Sequence, residues 1–122
     1  MWNSENTYLT GPYEPWREEG VAYDLAIEGE LPADLNGALF RAGSNEHFGP
    51  IDPARYHWFD GDGMVHAVYL RDGRATYRNR YVATAGLKLE MREGRAMSGS
   101  FMNGRADADP PGTTRRHVTA VR

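Results

Sequence analysis

The sequence predicts an all-β chain organised as an antiparallel meander, and three observations carry that prediction. Apolar residues alternate with a period of two over 21–28 and again through 64–82. Asp72-Gly73 stands between two alternating runs, where a type I′ hairpin turn needs two residues of positive φ. Glycine- and proline-bearing segments punctuate the remaining runs. With 122 residues, of which 40% are hydrophobic and 25% charged, the chain suffices for one small domain or part of a larger one. Fourteen Lys and Arg against seventeen Asp and Glu give a net charge of −3, without the basic footprint of a nucleic-acid binder. The absence of cysteine excludes disulfides, thiolate-ligated zinc, iron–sulfur clusters and thiol catalysis. It also fits a reducing compartment, so a cytoplasmic location is expected. The first six residues lack a basic region and an apolar run, so no signal peptide is expected. No apolar run approaches the length that spans a bilayer.

Residues 1–20 read as an extended arm. Pro12 and Pro15 suppress helix there, and Tyr8, Tyr13 and Trp16 suggest that the arm packs on something larger. Val21 to Glu28 reads as a half-buried strand with Val21, Tyr23, Leu25 and Ile27 on one face. Residues 29–37 read as a turn, Ala38 to Ala42 as a short strand, and Gly43 to Pro53 as a loop. Arg55 to Phe59 is aromatic and strand-like, Asp60 to Gly63 a tight turn, and Met64 to Arg71 and Arg74 to Val82 the next two strands. These three strands form the expected meander. Its register sets His57 opposite His66, His66 opposite Asn79, and Val68 opposite Tyr77. Both faces then carry large apolar groups and need cover. Alternation fails after residue 82, with one helical turn over Leu87 to Met91, and residues 106–122 read as a disordered tail. The organisation expected is an arm (1–20), a β region (21–105) and the tail.

The candidate chemistry is sparse. His57 and His66, as cross-strand neighbours, could share a metal, but no third or fourth ligand accompanies them, and the plainer reading is two ordinary strand histidines. His47 falls in a loop and His117 in the tail. Asp60-Gly61-Asp62-Gly63 fails as a calcium loop: with Gly63 as the sixth position, the first is Trp58 and the twelfth Tyr69. The glycines of 37–43 and 94–99 lack phosphate-loop spacing, and Ser44 and Ser98 lack a nucleophile-elbow context. Asp24, Glu28 and Glu30 read as a solvated face, while Arg78 and Arg80 share a face with Trp58 and Tyr69, suited to stacking or ion pairing. No complete catalytic constellation emerges from the residues themselves.

Three blocks, in order, resemble the N-terminal region of the carotenoid cleavage oxygenase family. The first runs from Gly29 through Leu31-Pro32, Leu35, Gly37, Arg41 and Gly43 to Asn45, with Ser44 where the family has proline. The second is the most specific: Tyr56-His57-Trp58-Phe59-Asp60-Gly61-Asp62-Gly63-Met64-Val65-His66. The third is Tyr77, Asn79-Arg80, Val82 and Thr84, followed by Glu90. The resemblance covers about residues 8–102. It implies a β-propeller, of which this chain would supply about one blade and the arm. It further implies an Fe(II) held by four histidines, and cleavage by dioxygen of a C=C bond in a carotenoid, apocarotenoid or stilbene-like substrate to two carbonyl products.

In that reading the iron ligands lie outside this sequence, no ligand maps onto His117, and the run from His57 to His66 is structural. The isolated chain is expected to bind no iron, to be inactive and marginally stable, and to self-associate through open strand edges and apolar faces. Full-length relatives would take a polyene and dioxygen, with peripheral membrane contact also expected. The alternative reading is a small β interaction module that docks on a partner through its sheet faces.

Overall fold

The structure, a computed structural model, describes residues 5–97. Its centre is a four-stranded antiparallel sheet of β1 (Gly20–Ala22), β2 (Gly37–Ser44), β3 (Gly63–Arg71) and β4 (Arg74–Tyr81), in the spatial order β1-β4-β3-β2. One helix follows, α1 (Ala85–Glu93).

The β3–β4 hairpin is the element that local chemistry determines most directly. Asp72 and Gly73 have φ of 51° and 72°, the two positive values that a type I′ turn demands. That turn fixes the register, so His66 faces Asn79 and Val68 faces Tyr77, as the alternation predicts. The third strand differs from expectation. Residues 55–59 are not a strand and do not pair with β3, so His57 does not oppose His66. The partner is β2, which pairs along its whole length and puts Arg41 opposite His66.

The physical reason lies in local hydrogen bonding. Pro53–Arg55 forms a 3₁₀ turn capped by Asp52, and Trp58–Asp60 forms a second with a capping box: the His57 imidazole accepts from the Phe59 N–H at 3.1 Å, and Asp60 accepts from the His57 N–H at 2.8 Å. Backbone groups satisfied at such short range are withdrawn from a ladder. Asp60 to Gly63 is accordingly no hairpin turn. It is a buried passage from the 3₁₀ turn into β3.

The predicted strand over 21–28 also shortens. Only Gly20–Ala22 joins the ladder, and Asp24 adopts φ of 49°, which breaks the extended run. One further bond, Leu25 N–H to the Ala75 carbonyl at 2.9 Å, returns the chain briefly to β4. The arm, expected to be extended, instead opens with 3₁₀ turns at Thr7–Leu9 and Gly11–Tyr13, and runs without helix or strand only over 14–19. Helix α1 outgrows the single turn read from Leu87 to Met91. Thr84 caps its start, and Gly94, with φ of 70°, ends it in the left-handed conformation that favours glycine. The expected tail over 106–122 lies outside the described residues.

Met64, Tyr81 and Leu87 form the buried apolar cluster, where α1 meets one face of the sheet. The sheet is otherwise thinly covered. Leu39 and Phe40, on opposite faces of β2, are 69% and 61% exposed. Because the hairpin sets the register, replacing Gly73 by Ala forces a β-carbon into the left-handed region; it should lower stability by about 1 kcal/mol, read as a fall in the urea midpoint.

Candidate functional site

The most densely built part of the molecule is a polar knot where the arm, the β2–β3 connection and the end of β4 meet. Four buried polar or charged side chains lie in these segments: Glu46, Asp60, Asp62 and Asn79. A buried polar group must be bonded to be tolerated, and the hydrogen bonds of the knot satisfy this. Asp62 accepts from the His47 N–H at 3.1 Å, while its carbonyl accepts from the Asn45 N–H at 2.6 Å. Ser44 Oγ donates to the Trp58 carbonyl, tying the end of β2 to the second 3₁₀ turn.

Asn45 is the hub. Its amide nitrogen donates to the Trp16 carbonyl and, at 2.7 Å, to the Tyr81 hydroxyl, while its oxygen accepts from the Trp16 N–H at 2.8 Å. Asn79 does the same one register step along: its oxygen accepts from the Gly20 N–H and its nitrogen donates to the Glu18 carbonyl, both at 2.7 Å. Both amides also approach the Met64 sulfur, at 3.3 Å from Asn79 and 3.7 Å from Asn45. A thioether is a weak, polarisable acceptor, so Met64 fills the space beneath two amides without demanding a strong donor.

The electrostatics keep the Tyr81 phenol protonated. Burial pushes the Tyr81 phenol up, and the nearby Asp62 and Glu46 carboxylates reinforce the shift. The hydroxyl therefore stays a donor, reaching the Trp16 carbonyl at 3.3 Å. The His47 ring packs 4.8 Å from the Tyr81 ring. Farther along the same face, the His66 Nδ1 and the Tyr77 hydroxyl lie 2.7 Å apart. Burial lowers the His66 pKa below its ordinary 6.5 and the facing Arg41 adds to the fall, while burial raises that of Tyr77.

The residues singled out in the sequence distribute over three places. Trp58, Phe59 and His57 join Tyr8 and Tyr13 in an aromatic cluster beside the 3₁₀ turns, with Tyr8 4.9 Å from His57 and Tyr13 5.5 Å from Trp58. Asp60, Asp62 and Met64 belong to the buried knot, Gly61 and Gly63 thread through it, and His66 stands apart on β3. Among the described residues, no group of three or more His, Cys, Asp or Glu side chains could hold a metal ion. They do not fit an iron centre, and His57 and His66 do not form one together. The clamp roles of Asn45 and Asn79 escaped the sequence reading, because a side chain that binds backbone leaves no periodicity; their only signal was a place in the first and third motif blocks.

The family model described as retinal pigment epithelial membrane protein matches residues 13–121. The chain belongs to this family, the carotenoid oxygenases. It is 48% identical over 89 residues to carotenoid 9,10(9′,10′)-cleavage dioxygenase 1 of Phaseolus vulgaris, a match covering 73% of this chain and 16% of that protein. It is 50% identical over 82 residues to a carotenoid cleavage oxygenase of Mycobacterium tuberculosis, covering 66% of this chain and 16% of the relative. A lignostilbene dioxygenase crystal structure from Pseudomonas brassicacearum aligns with a TM-score of 0.82 at 30% identity, covering 93% of this chain and 24% of that one. The chain thus spans about a sixth of the length of these curated relatives. Its antiparallel sheet is a part of the propeller of the carotenoid oxygenases.

Two outcomes follow from the geometry. A β-carbon on Gly61 would fall on Ser44 Oγ and lie 3.0 Å from the Asn45 nitrogen, so Gly61→Ala should destabilise the chain by about 1–3 kcal/mol through overpacking, measured as a fall in the urea midpoint. His66 binds its proton less readily folded than unfolded. Over the window just below pH 6.5 the unfolded chain therefore carries more protons, and stability should rise with pH there. His66→Gln should flatten that slope in urea midpoints taken between pH 5 and pH 7, about the range in which an ordinary histidine titrates.

Proposed function

We propose that this chain is the N-terminal structural segment of a non-haem iron dioxygenase that cleaves a C=C bond of a carotenoid, apocarotenoid or stilbene-like substrate. One dioxygen adds across the bond, each carbon takes one oxygen atom, and two carbonyl products leave. The observation that carries this reading is the 48% identity over 89 residues to a carotenoid-cleaving relative; the likeness to a lignostilbene dioxygenase extends the substrate class to stilbenes. The Fe(II) and its four histidines belong to the remainder of such an enzyme. This segment contributes the packed knot that positions the arm, the 3₁₀ turns and the sheet. By itself it neither binds iron nor turns over. We place the protein in the cytoplasm, with peripheral membrane contact made by full-length relatives.

A second reading rests on the uncovered side chains of β2. Leu39 and Phe40 stand free on an edge strand, which favours docking on a partner or self-association of the isolated chain.

A chimera tests the first reading. The matching segment of the Phaseolus vulgaris relative is replaced by that of this chain, and carbonyl products are quantified with a carotenoid and a stilbene. Cleavage within about tenfold of the parent is expected, a loss of no more than about 1.4 kcal/mol of transition-state stabilisation; a folded, iron-loaded chimera without cleavage overturns the reading. The 122-residue chain given Fe(II) and the same substrates should consume no oxygen. Stoichiometric iron with turnover would show that the reaction needs nothing beyond it.

A further inference from the structure

We propose that residues 14–20 form a releasable strap, latched over the Met64 end of the sheet by the side-chain amides of Asn45 and Asn79, and that the strap opens as a unit while β3 and β4 stay paired. This inference concerns the motif residues that carry no chemistry in the proposed reaction, and it does not depend on that reaction.

In an extended segment the N–H and C=O of one residue point to the same side, and alternate residues share that side. Trp16, Glu18 and Gly20 turn their polar groups toward the sheet, where two asparagines meet them. Asn45 takes both the N–H and the C=O of Trp16. Asn79 takes the C=O of Glu18 and the N–H of Gly20. An amide side chain is the one neutral group that offers a donor and an acceptor side by side, so each asparagine replaces a strand residue that is not there.

The odd-numbered residues hold by side chain. Arg17 donates to the His47 carbonyl at 2.9 Å, and Glu19 accepts from the Tyr81 N–H at 2.7 Å. The true ladder starts only at Gly20. From Trp16 to Glu19, these hydrogen bonds to the loop and the sheet all run through side chains.

Two observations make it separable. Residues 16–20 are exposed, with the Trp16 side chain 62% exposed, so the strap buries little apolar surface of its own. What it covers is already ordered: Met64 and Asn79 are 0% and 1% exposed and belong to the hairpin. A segment held by polar bonds over a preformed surface is the kind that opens locally. Opening would bare the Asn45 and Asn79 amides, the Tyr81 hydroxyl and the Met64 sulfur together.

The test is native-state hydrogen exchange on the full chain, supported by the rate of tryptic cleavage after Arg17. In the unaltered chain the Trp16, Gly20 and Tyr81 amides should exchange through one opening with a weaker denaturant dependence than the His66 and Tyr77 amides. Tyr81 is diagnostic: it lies on β4, yet its N–H is sealed by Glu19 and should exchange with the strap. Asn45→Ala should speed exchange at Trp16 and Gly20, and cleavage after Arg17, by about ten- to a hundredfold, the scale of the two hydrogen bonds to Trp16 that it removes. The interior of β3 and β4 should not change. Glu19→Ala, at an exposed position, should deprotect Tyr81 and Gly20 in the same way.

The proposal is overturned if strap and hairpin amides share one exchange isotherm, if neither variant alters strap exchange, or if both regions lose protection equally. A chain without slowly exchanging amides in β3 and β4 overturns it too, since there is then no surface to latch onto.

Discussion

The constraint on which the rest of this structure depends is the need to satisfy backbone polar groups in segments that are neither helix nor ladder. A sheet of four strands leaves long connections, and each buried N–H or C=O in them requires a partner. Here, short polar side chains supply many of those partners. Asn6 donates to the Pro53 and Tyr56 carbonyls at 2.9 and 2.6 Å and accepts from the Tyr8 N–H, tying the Thr7–Leu9 turn to the Pro53–Arg55 turn. Asp52 and Asp60 cap the two 3₁₀ turns before β3, and Asp62, Asn45 and Asn79 join the loop, the sheet and the strap. Take these away and the hairpin still has its turn and its ladder, but nothing upstream of β3 would have a defined place on it.

That division explains which parts of the fold were legible in the sequence. The β3–β4 hairpin was, because Asp72-Gly73 and the period of two act on the same residues and agree. The strand over 38–42 was also legible, though its neighbour was not. Pairing of β2 with β3 is a contact across a connection of eighteen residues, Asn45 to Asp62, and no local signal encodes it. The aromatic run at 55–59 misled for a definite reason. Every residue from Tyr56 to Phe59 is aromatic, so the run has no polar phase, and a five-residue window cannot separate a strand from a compact turn. The deciding bonds, from His57 and Asp60 to nearby backbone, are one of the few local alternatives that outcompete a ladder.

The functional reading was legible to a different depth. Motif blocks identify the family because they are long and ordered, yet the structure gives each block a mechanical role. Asn45 closes the first block, Asp60 and Asp62 sit in the second, Asn79 lies within the third and Glu90 follows it. All but Glu90 serve the knot or its capping turn. Glu90 is fully buried on α1 and accepts from the Met97 N–H at 2.8 Å, fixing the chain as it leaves the helix. Three separate segments thus each supply polar partners to a place where chain segments cross.

This bears on how the segment serves the reaction proposed for it. A metal centre held by four histidines needs them positioned to a fraction of an ångström, and strands do this better than loops. The described residues offer no such centre, and their apolar surface is only partly covered by their own side chains. Leu39, Phe40 and Tyr69 remain exposed at 69%, 61% and 40%. What the segment has instead is rigidity at its polar end, where the acidic and amide side chains are buried and bonded, and stickiness at its apolar end. A piece with those two properties is suited to being packed against further sheet, its own geometry already set before the neighbour arrives. The apolar end supplies the attraction, while the knot ensures that what is attracted meets one arrangement of the 3₁₀ turns before β3 and of β2.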